Sequence, residues 1–330
     1  RLIYFPVYSV KNNLEIVAKE QKFVDRSEDM AFVKNVEIRE RCYRFSNTIR
    51  DNEIHRRSFN ELASRVFGGL TFEPWFRSGY WSEKFCPFVL LDRDRVVSNV
   101  SVNTLNFRYE GKLRKYIQLG TVMTDPAYRG KGLSRWLMEE VLRRYKGECD
   151  ALYLFANNSV LQYYPRFGFE KAAEYQCIQP IAGGRDKGRK LDMDSMEDRE
   201  LLCRAYAVSN PFSRLSFEQN PELLMFYCGN SLKNSVYYLK EWNAVVVADY
   251  VGNDMLLYDI FCAAGLDLSK VLRDAARKET SCVKFFFTPA NTREGKLQPY
   301  KEEDTTLFLL KESENLFRED RLMFPVLSHT

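Results

Sequence analysis

Apolar positions recur on two different periods along this chain, and the change of period marks its elements. In residues 52–68 (NEIHRRSFNELASRVFG), Ile54, Phe59, Leu62 and Val66 fall on one face at helical spacing, and Gly68-Gly69 ends the run. This predicts an amphipathic helix with His55 exposed on it. Residues 85–124 are rich in β-branched and aromatic side chains, with turn residues at 92–94 and 110–111, which predicts successive antiparallel strands. The run through Val122, Met123 and Thr124 then meets Asp125-Pro126, a short basic loop holding Gly130 and Gly132, and an unbroken amphipathic stretch to Tyr145. Residues 150–157 (DALYLFAN) read as a short buried strand, and residues 159–169 (SVLQYYPRFGF) as a short helix ending at Gly168. That order predicts an α+β fold, a mixed and mostly antiparallel sheet flanked by helices. Residues 1–45 give no decisive period, and residues 1–40 read as an extension.

The clearest break is residues 179–200 (QPIAGGRDKGRKLDMDSMEDRE), with three glycines, a proline and many charges. It reads as a linker between a domain over residues 1–180 and a second over residues 181–330. A shift of 135 residues lays MTDPAYRGKGLSRWL (123–137) on YDIFCAAGLDLSKVL (258–272), with Leu133-Ser134-Arg135 facing Leu268-Ser269-Lys270. The echo predicts that the second half is another copy of the first half's fold.

Composition adds exclusions more than assignments. The 330 residues are 45% hydrophobic and 28% charged, ordinary for a globular chain, and no apolar run approaches a membrane span. No signal-peptide pattern opens the chain, so a cytoplasmic protein is the default expectation. The eight cysteines are scattered, without a C-x-x-C pair, and only two histidines could supplement them, which predicts no metal site and no disulfide framework. The net charge of +4 is too small to argue for nucleic acid. Residues 1–180 carry 29 Lys+Arg against 22 Asp+Glu, a net of +7, and the remainder −3. A basic half suits an anionic, phosphorylated ligand.

The loop at 129–134 (RGKGLS) narrows that ligand. Lys131 is followed by Gly132 and not by Ser or Thr, so the P-loop pattern fails, and G-x-G-x-x-G fails because Arg135 stands where the third glycine belongs. The loop resembles the Q/R-x-x-G-x-G/A element of the GNAT superfamily of acyl-CoA-dependent N-acyltransferases, with Ser134 in place of the usual last Gly or Ala. Pro126 after an apolar strand, and ANNSVLQYYPRFGF with Asn157, Tyr164 and Gly168 at the family's spacing, extend the resemblance over residues 119–169.

The resemblance implies a GNAT sheet followed by a second GNAT-like domain. It also implies acetyl-CoA as co-substrate and no metal. The pyrophosphate would lie on the amides of Arg129, Gly130, Lys131, Gly132, Leu133 and Ser134, since first-turn amides have no helical acceptor. Val122, Met123 and Thr124 would run beside the pantetheine arm, with Val122 and Thr124 pairing to it, and Asn157 would contact the cofactor. An amine would attack the thioester directly in a ternary complex, and Tyr164 would protonate the departing sulfur. Some relatives carry a glutamate base where this chain has Gln118, so that role does not carry over; a water chain, or a carboxylate such as Glu73 or Glu83, would serve instead. In the echoed loop, Asp267 replaces Gly132, and a carboxylate there would repel a pyrophosphate. The second copy is therefore expected to be degenerate and to shape the acceptor cleft.

Trp136 is expected in the core, and the aromatic run 72–81 either lines the acceptor pocket or covers the core. The C-terminal LMFPVLSHT is expected to dock against the second domain, the alternative being entry into the active site. The expected partner is a small-molecule or peptide amine, with no nucleic acid or membrane and with homo-oligomerisation open. Two rivals remain: a transferase of similar fold that uses aminoacyl-tRNA, and a non-catalytic acyl-CoA sensor.

Overall fold

A computed structural model describes residues 33–330, so the expectation of an extension over residues 1–40 lies largely outside the described residues. The described chain opens on a hairpin, β1 (Val33–Ile38) and β2 (Arg41–Ser46), whose turn is made by Arg39 and Glu40 at φ 51° and 62°. Helix α1 (Glu53–Val66) starts where Asn52 accepts a hydrogen bond from the His55 amide, as an N-cap should. Its buried positions are Arg56, Phe59, Leu62 and Ala63, whereas Ile54, placed on the apolar face from sequence, is 64% exposed. His55 is also not free on the surface: Nε2 lies 3.0 Å from Arg44 Nη2 and 3.4 Å from Asp94. After a short α2 (Glu73–Arg77) come β3 (Phe85–Asp92), β4 (Arg95–Tyr109) and β5 (Lys112–Thr124), antiparallel neighbours turning at the expected places. Helix α3 (Leu133–Tyr145) then crosses to β6 (Ala151–Ala156), which pairs parallel to β5. The stretch expected to be a short helix forms two 3-10 turns, Asn158–Val160 and Tyr164–Phe167, before β7 (Phe169–Lys171). Pro165 lacks the amide a longer helix would need.

The remaining elements divide between two sheets. Strand β8 (Glu174–Pro180), β9 (Arg189–Lys190), β11 (Val236–Leu239), β12 (Ala244–Val251), β13 (Asp254–Phe261), β14 (Cys282–Phe285) and β15 (Lys296–Tyr300) build a second sheet in the order β15-β8-β14-β13-β12-β11-β9. Strand β10 (Leu215–Glu218) joins β4 in the first sheet. Strand β16 (Thr306–Leu310) enters the first sheet between β6 and β7, pairing antiparallel with both. The first sheet therefore runs β1-β2-β3-β4-β5-β6-β16-β7, and one of its inner strands lies beyond the whole second sheet in sequence.

The second sheet repeats the local order of the first: antiparallel β12 and β13, then helix α6 (Leu268–Ala275), then β14 parallel to β13. The echo between the halves is thus a structural repeat.

The glycine-rich segment 179–200 is ordered and packed. A Cβ on Gly184 would lie 1.9 Å from Ala276 O and one on Gly183 2.7 Å from Lys278 O, so these glycines permit close approach. The segment also contributes β9 and leads into α4 (Met196–Val208), which α5 (Pro221–Cys228) follows after β10.

Four apolar clusters organise the body. One lies under α3 and includes Phe45, Phe88, Leu137 and Leu154, with Trp136 packed against it as expected. Another, on the face covered by α1 and α2, gathers Phe59, Phe72, Trp75, Trp81 and Phe85, so the aromatic run 72–81 is chiefly core. A third sits under α6, around Leu257, Val271 and Phe285. The fourth is shared: Phe107, Tyr116 and Tyr153 of the first sheet meet Val245, Val247 and Phe261 of the second, together with Phe324 and Leu327 of the C-terminal segment.

Candidate active site

Strands β5 and β6 pair from Tyr116↔Ala151 to Leu119↔Leu154 and then part. The cause is visible on the other side of β5, where pairing with β4 shifts register between Asn99 and Ser101. Thr121 sits at this bulge with φ 47°, a left-handed conformation rare for a β-branched residue. Buried Asn99 holds the distortion, donating from Nδ2 to Thr121 O at 2.7 Å and to Ser101 Oγ at 2.9 Å. Past the bulge the strand is regular again: the Asp125 amide bonds Val97 O at 2.9 Å. By alternation, the main-chain groups of Val122 and Thr124 face away from β4, toward the opening left by β6. Arg129 Nε, 3.4 Å from Thr124 O, confirms that direction.

Met123 does not share this orientation, in contrast to its place among the expected cofactor contacts. Its carbonyl accepts from Ser98 Oγ at 3.2 Å, and its side chain is buried among the aromatics beside α1. It is a packing residue between two strand positions that remain available.

At the mouth of the opening, Asp125 anchors the loop. It accepts from the Ala127 amide at 3.0 Å and pairs with Arg65 at 3.1 Å and with Arg95. Burial alone would raise this carboxyl; the Ala127 amide and the two guanidinium groups hold it below the ordinary value. Gly130 and Gly132 adopt φ 74° and 84°, which a Cβ would oppose. Arg39 from the β1–β2 turn donates to Gly130 O at 2.7 Å.

The first backbone bond of α3 is from Trp136 N to Gly132 O, 3.0 Å. The amides of Gly130, Lys131, Gly132, Leu133, Ser134 and Arg135 have no acceptor among the described residues. Six successive donors, at the positive end of a helix with no acidic residue in its first turn, form a site for an anionic ligand. The Lys131 side chain folds back, bonding Ala127 O at 2.7 Å and lying over the Tyr128 ring, so its part in the loop is its backbone.

The matching end of the second sheet carries a carboxylate instead. Asp267 caps α6, accepting from the Ser269 amide at 3.0 Å and from its hydroxyl at 2.7 Å. Its negative charge occupies the place where the first copy offers bare amides.

On the β6 side, Asn157 follows the strand directly and is exposed, its Nδ2 bonded to Asp304 Oδ2 at 3.0 Å. Tyr164 is 5% exposed and packs against Phe169 and Phe308; its hydroxyl has no bonding partner among the described residues. Burial pushes its phenol well above the ordinary value, so it is protonated at neutral pH. Tyr163 does more than pack, because its hydroxyl meets Ser134 Oγ at 2.7 Å and ties the start of α3 to the turn that carries Tyr164.

The C-terminal segment docks as expected through Leu322, Phe324 and Leu327, but its last residues go further than the second sheet and reach β5. Oriented to satisfy its neighbours, the buried Gln118 amide donates to Tyr153 Oη (3.1 Å) and Ser328 O (2.9 Å) and accepts from Thr330 N (3.0 Å). A Cβ on Gly120 would lie 2.8 Å from Thr330 O. Tyr227 holds the segment from the other side, donating to His329 O at 2.6 Å. The His329 ring lies 4.1 Å from that of Phe155, and its shielded Nε2 has no partner among the described residues. Burial lowers its pKa to about 3, keeping it neutral.

Glu73 and Glu83 do not converge on this opening in any described contact. Glu73 is bound by Arg56 and Arg77, both at 3.1 Å, and Glu83 is exposed. Asn99 and Asp304 went unassigned in the sequence, and the C-terminal residues, for which docking on the second domain was the first expectation, also reach Gln118 and Gly120 of β5. A signal for Asn99 existed: the polar residues of SNVSVN (98–103) interrupt an otherwise apolar strand.

The divergent β5–β6 pair with a glycine-bearing loop and helix at its mouth agrees with the sequence. Residues 47–172 match the model of the acetyltransferase (GNAT) domain. Residues 47–172 are a GNAT acetyltransferase domain. The chain is accordingly an enzyme of the acyltransferase class. Solved structures extend the likeness into the second sheet. A probable N-acyltransferase from Enterococcus faecalis is similar over 84% of this chain and 71% of its own, with a TM-score of 0.57 at 13% identity. A GCN5-related N-acetyltransferase from Kribbella flavida is similar over 82% and 72%, at a TM-score of 0.50 and 17% identity. Another from Anabaena variabilis gives 0.50 and 12%, over 81% and 72%. At these identities the likeness is one of fold, and it covers the GNAT domain with a second sheet body beside it. Among the described residues, no helix is long and apolar enough to cross a membrane, and no group of three metal-ligating side chains occurs.

Proposed function

We propose that this chain transfers an acetyl group from acetyl-CoA to a primary amine, on a small molecule or a peptide, by direct attack within a ternary complex. The observation that carries the reading is the row of six unpaired amides from Gly130 to Arg135 at the start of α3. A pyrophosphate meets those donors without displacing an acceptor among the described residues, and the left-handed glycines carry no side chain into the approach. Acetyl-CoA supplies the acetyl group as an activated thioester. Val122 offers its main-chain groups, and Thr124 its amide, to the pantetheine arm in the manner of an added strand. Tyr164, protonated and shielded from water, delivers a proton to the departing thiolate. A donor carried on tRNA has no pyrophosphate at the corresponding position, which disfavours that alternative.

Isothermal titration of acetyl-CoA and a CoA-release assay over an amine panel test the reading. Binding is expected in the wild type and abolished in Gly132→Glu, which adds a charged side chain at φ 84°. Tyr164→Phe is expected to lower kcat by about a hundredfold with acetyl-CoA affinity retained. Binding unaffected by Gly132→Glu would sink the reading. Binding without turnover of any amine would make the chain an acyl-CoA sensor instead.

A further inference from the structure

The contact that the GNAT domain does not explain is made by Asp304, in the connection from β15 to β16. Its Oδ2 accepts from Asn157 Nδ2 at 3.0 Å, and its Oδ1 accepts from the Asn158 amide at 2.7 Å. Both oxygens are thus committed to the end of the β6 arm, three residues past the last β5–β6 pair. Asp304 makes the reach with φ 56°, a left-handed conformation that Asp, Asn and Gly adopt more readily than other residues. Beside it, Thr306 pairs with Ala156 as the first rung of the β16–β6 ladder, so the carboxylate's position is fixed by sheet hydrogen bonds.

An amide side chain offers either its nitrogen or its oxygen to a ligand, and its neighbours decide which. With Nδ2 held by a carboxylate, Asn157 Oδ1 is left free, and Oδ1 has no partner among the described residues. We propose that Asp304 is a positioning residue: it fixes the Asn157 amide so that Oδ1 accepts an amide N–H of the pantetheine arm. The returning strand thereby couples completion of the first sheet to recognition of the cofactor's middle section. This rests on the proposed acetyl-CoA site, and it adds a residue over 130 positions beyond the end of the matched domain.

The test uses the full chain with substitutions that separate side chain from backbone. Asp304→Gly keeps the left-handed conformation and removes the carboxylate; Asp304→Asn keeps an acceptor oxygen. For Asp304→Gly the KM for acetyl-CoA is expected to rise about tenfold with kcat within about twofold, as loss of one well-made polar contact predicts. Affinity for adenosine 3′,5′-bisphosphate, which lacks the pantetheine arm, is expected to stay at the wild-type value. Asp304→Asn, which keeps one of the two acceptor oxygens, is expected to recover part of the loss. An unchanged KM in Asp304→Gly would overturn the proposal, and so would a parallel loss of adenosine 3′,5′-bisphosphate affinity, which would signal collapse of the whole site. Either result leaves the acetyl-CoA reading intact so long as the wild type binds and Gly132→Glu does not.

Discussion

Replacing Phe324 by Ala removes a ring on which the shared core converges. Phe324 is fully buried and stacks on Tyr153 with centroids 4.1 Å apart at 11°. It also meets Phe317 at 4.6 Å and Phe107 at 5.3 Å, while its amide donates to Glu174 at 2.9 Å. Truncating a buried Phe costs about 3–5 kcal/mol, and a packed aromatic neighbourhood places this site toward the upper end. With an m-value of about 3 kcal/mol/M in urea, the unfolding midpoint is expected to fall by roughly 1.3–1.7 M. Because the same cluster holds Val245, Val247 and Phe261 of the second sheet, both sheets should lose protection together. Hydrogen exchange read by mass spectrometry on peptides from β5–β6 and from β12–β13 separates the possibilities. Faster exchange in both is expected. Wild-type protection in β12–β13 beside loss in β5–β6 would refute the idea of one shared core.

Other consequences can be checked with similar economy. Burial, augmented by nearby Glu302 and opposed by the Phe324 amide, raises the Glu174 pKa to about 8 from an ordinary 4.5. Between those values the folded chain holds a proton that the unfolded chain releases, so this contribution is present in full below pH 4.5 and lost as pH rises toward 8. Glu174→Gln is expected to flatten the fall of Tm between pH 5 and 8, and an unchanged slope would contradict the assignment. Gly120→Ala places a Cβ against Thr330 and should cost about 1–3 kcal/mol while making the last residues sensitive to carboxypeptidase. Resistance equal to wild type would mean the segment repacks without leaving. A fragment of residues 33–180 lacks β10 and β16, leaving β6 and β7 with open edges, and is expected to aggregate on expression. A soluble, cooperatively folding fragment would show that the inserted strand is dispensable.

Features governed by neighbours in sequence were legible. The span of α1, the turns after Asp92 and Tyr109, and the paired glycines of the loop all follow from local rules, and each sits where the pattern implied. The β1–β2 hairpin escaped notice because its turn uses Arg39 and Glu40 in left-handed conformations, where Asn-Gly or Asp-Gly would have announced it. Glycine itself was ambiguous: at Gly184 the residue marks a close approach, yet its neighbourhood resembles a flexible linker. The entry of β16 between β6 and β7 had no local signal, since nothing in TLFLL distinguishes one buried partner from another. For the site, the helix-end amides follow from the strand–loop–helix pattern and Tyr164 entered only through the family resemblance, whereas the Asp304–Asn157 contact depends on a pairing across 147 positions.

The late position of β16 also bears on biosynthesis. The strand that fills the gap between β6 and β7 leaves the ribosome only after the second sheet has been made. At about 5–20 residues per second, the nascent first sheet waits on the order of ten seconds with two unsatisfied edges. During that interval it is a sticky intermediate, and a chaperone or the emerging second sheet must shield it. The end of the first sheet around β6 and β7 is therefore completed late, and a chain stalled before β16 would lack that closure.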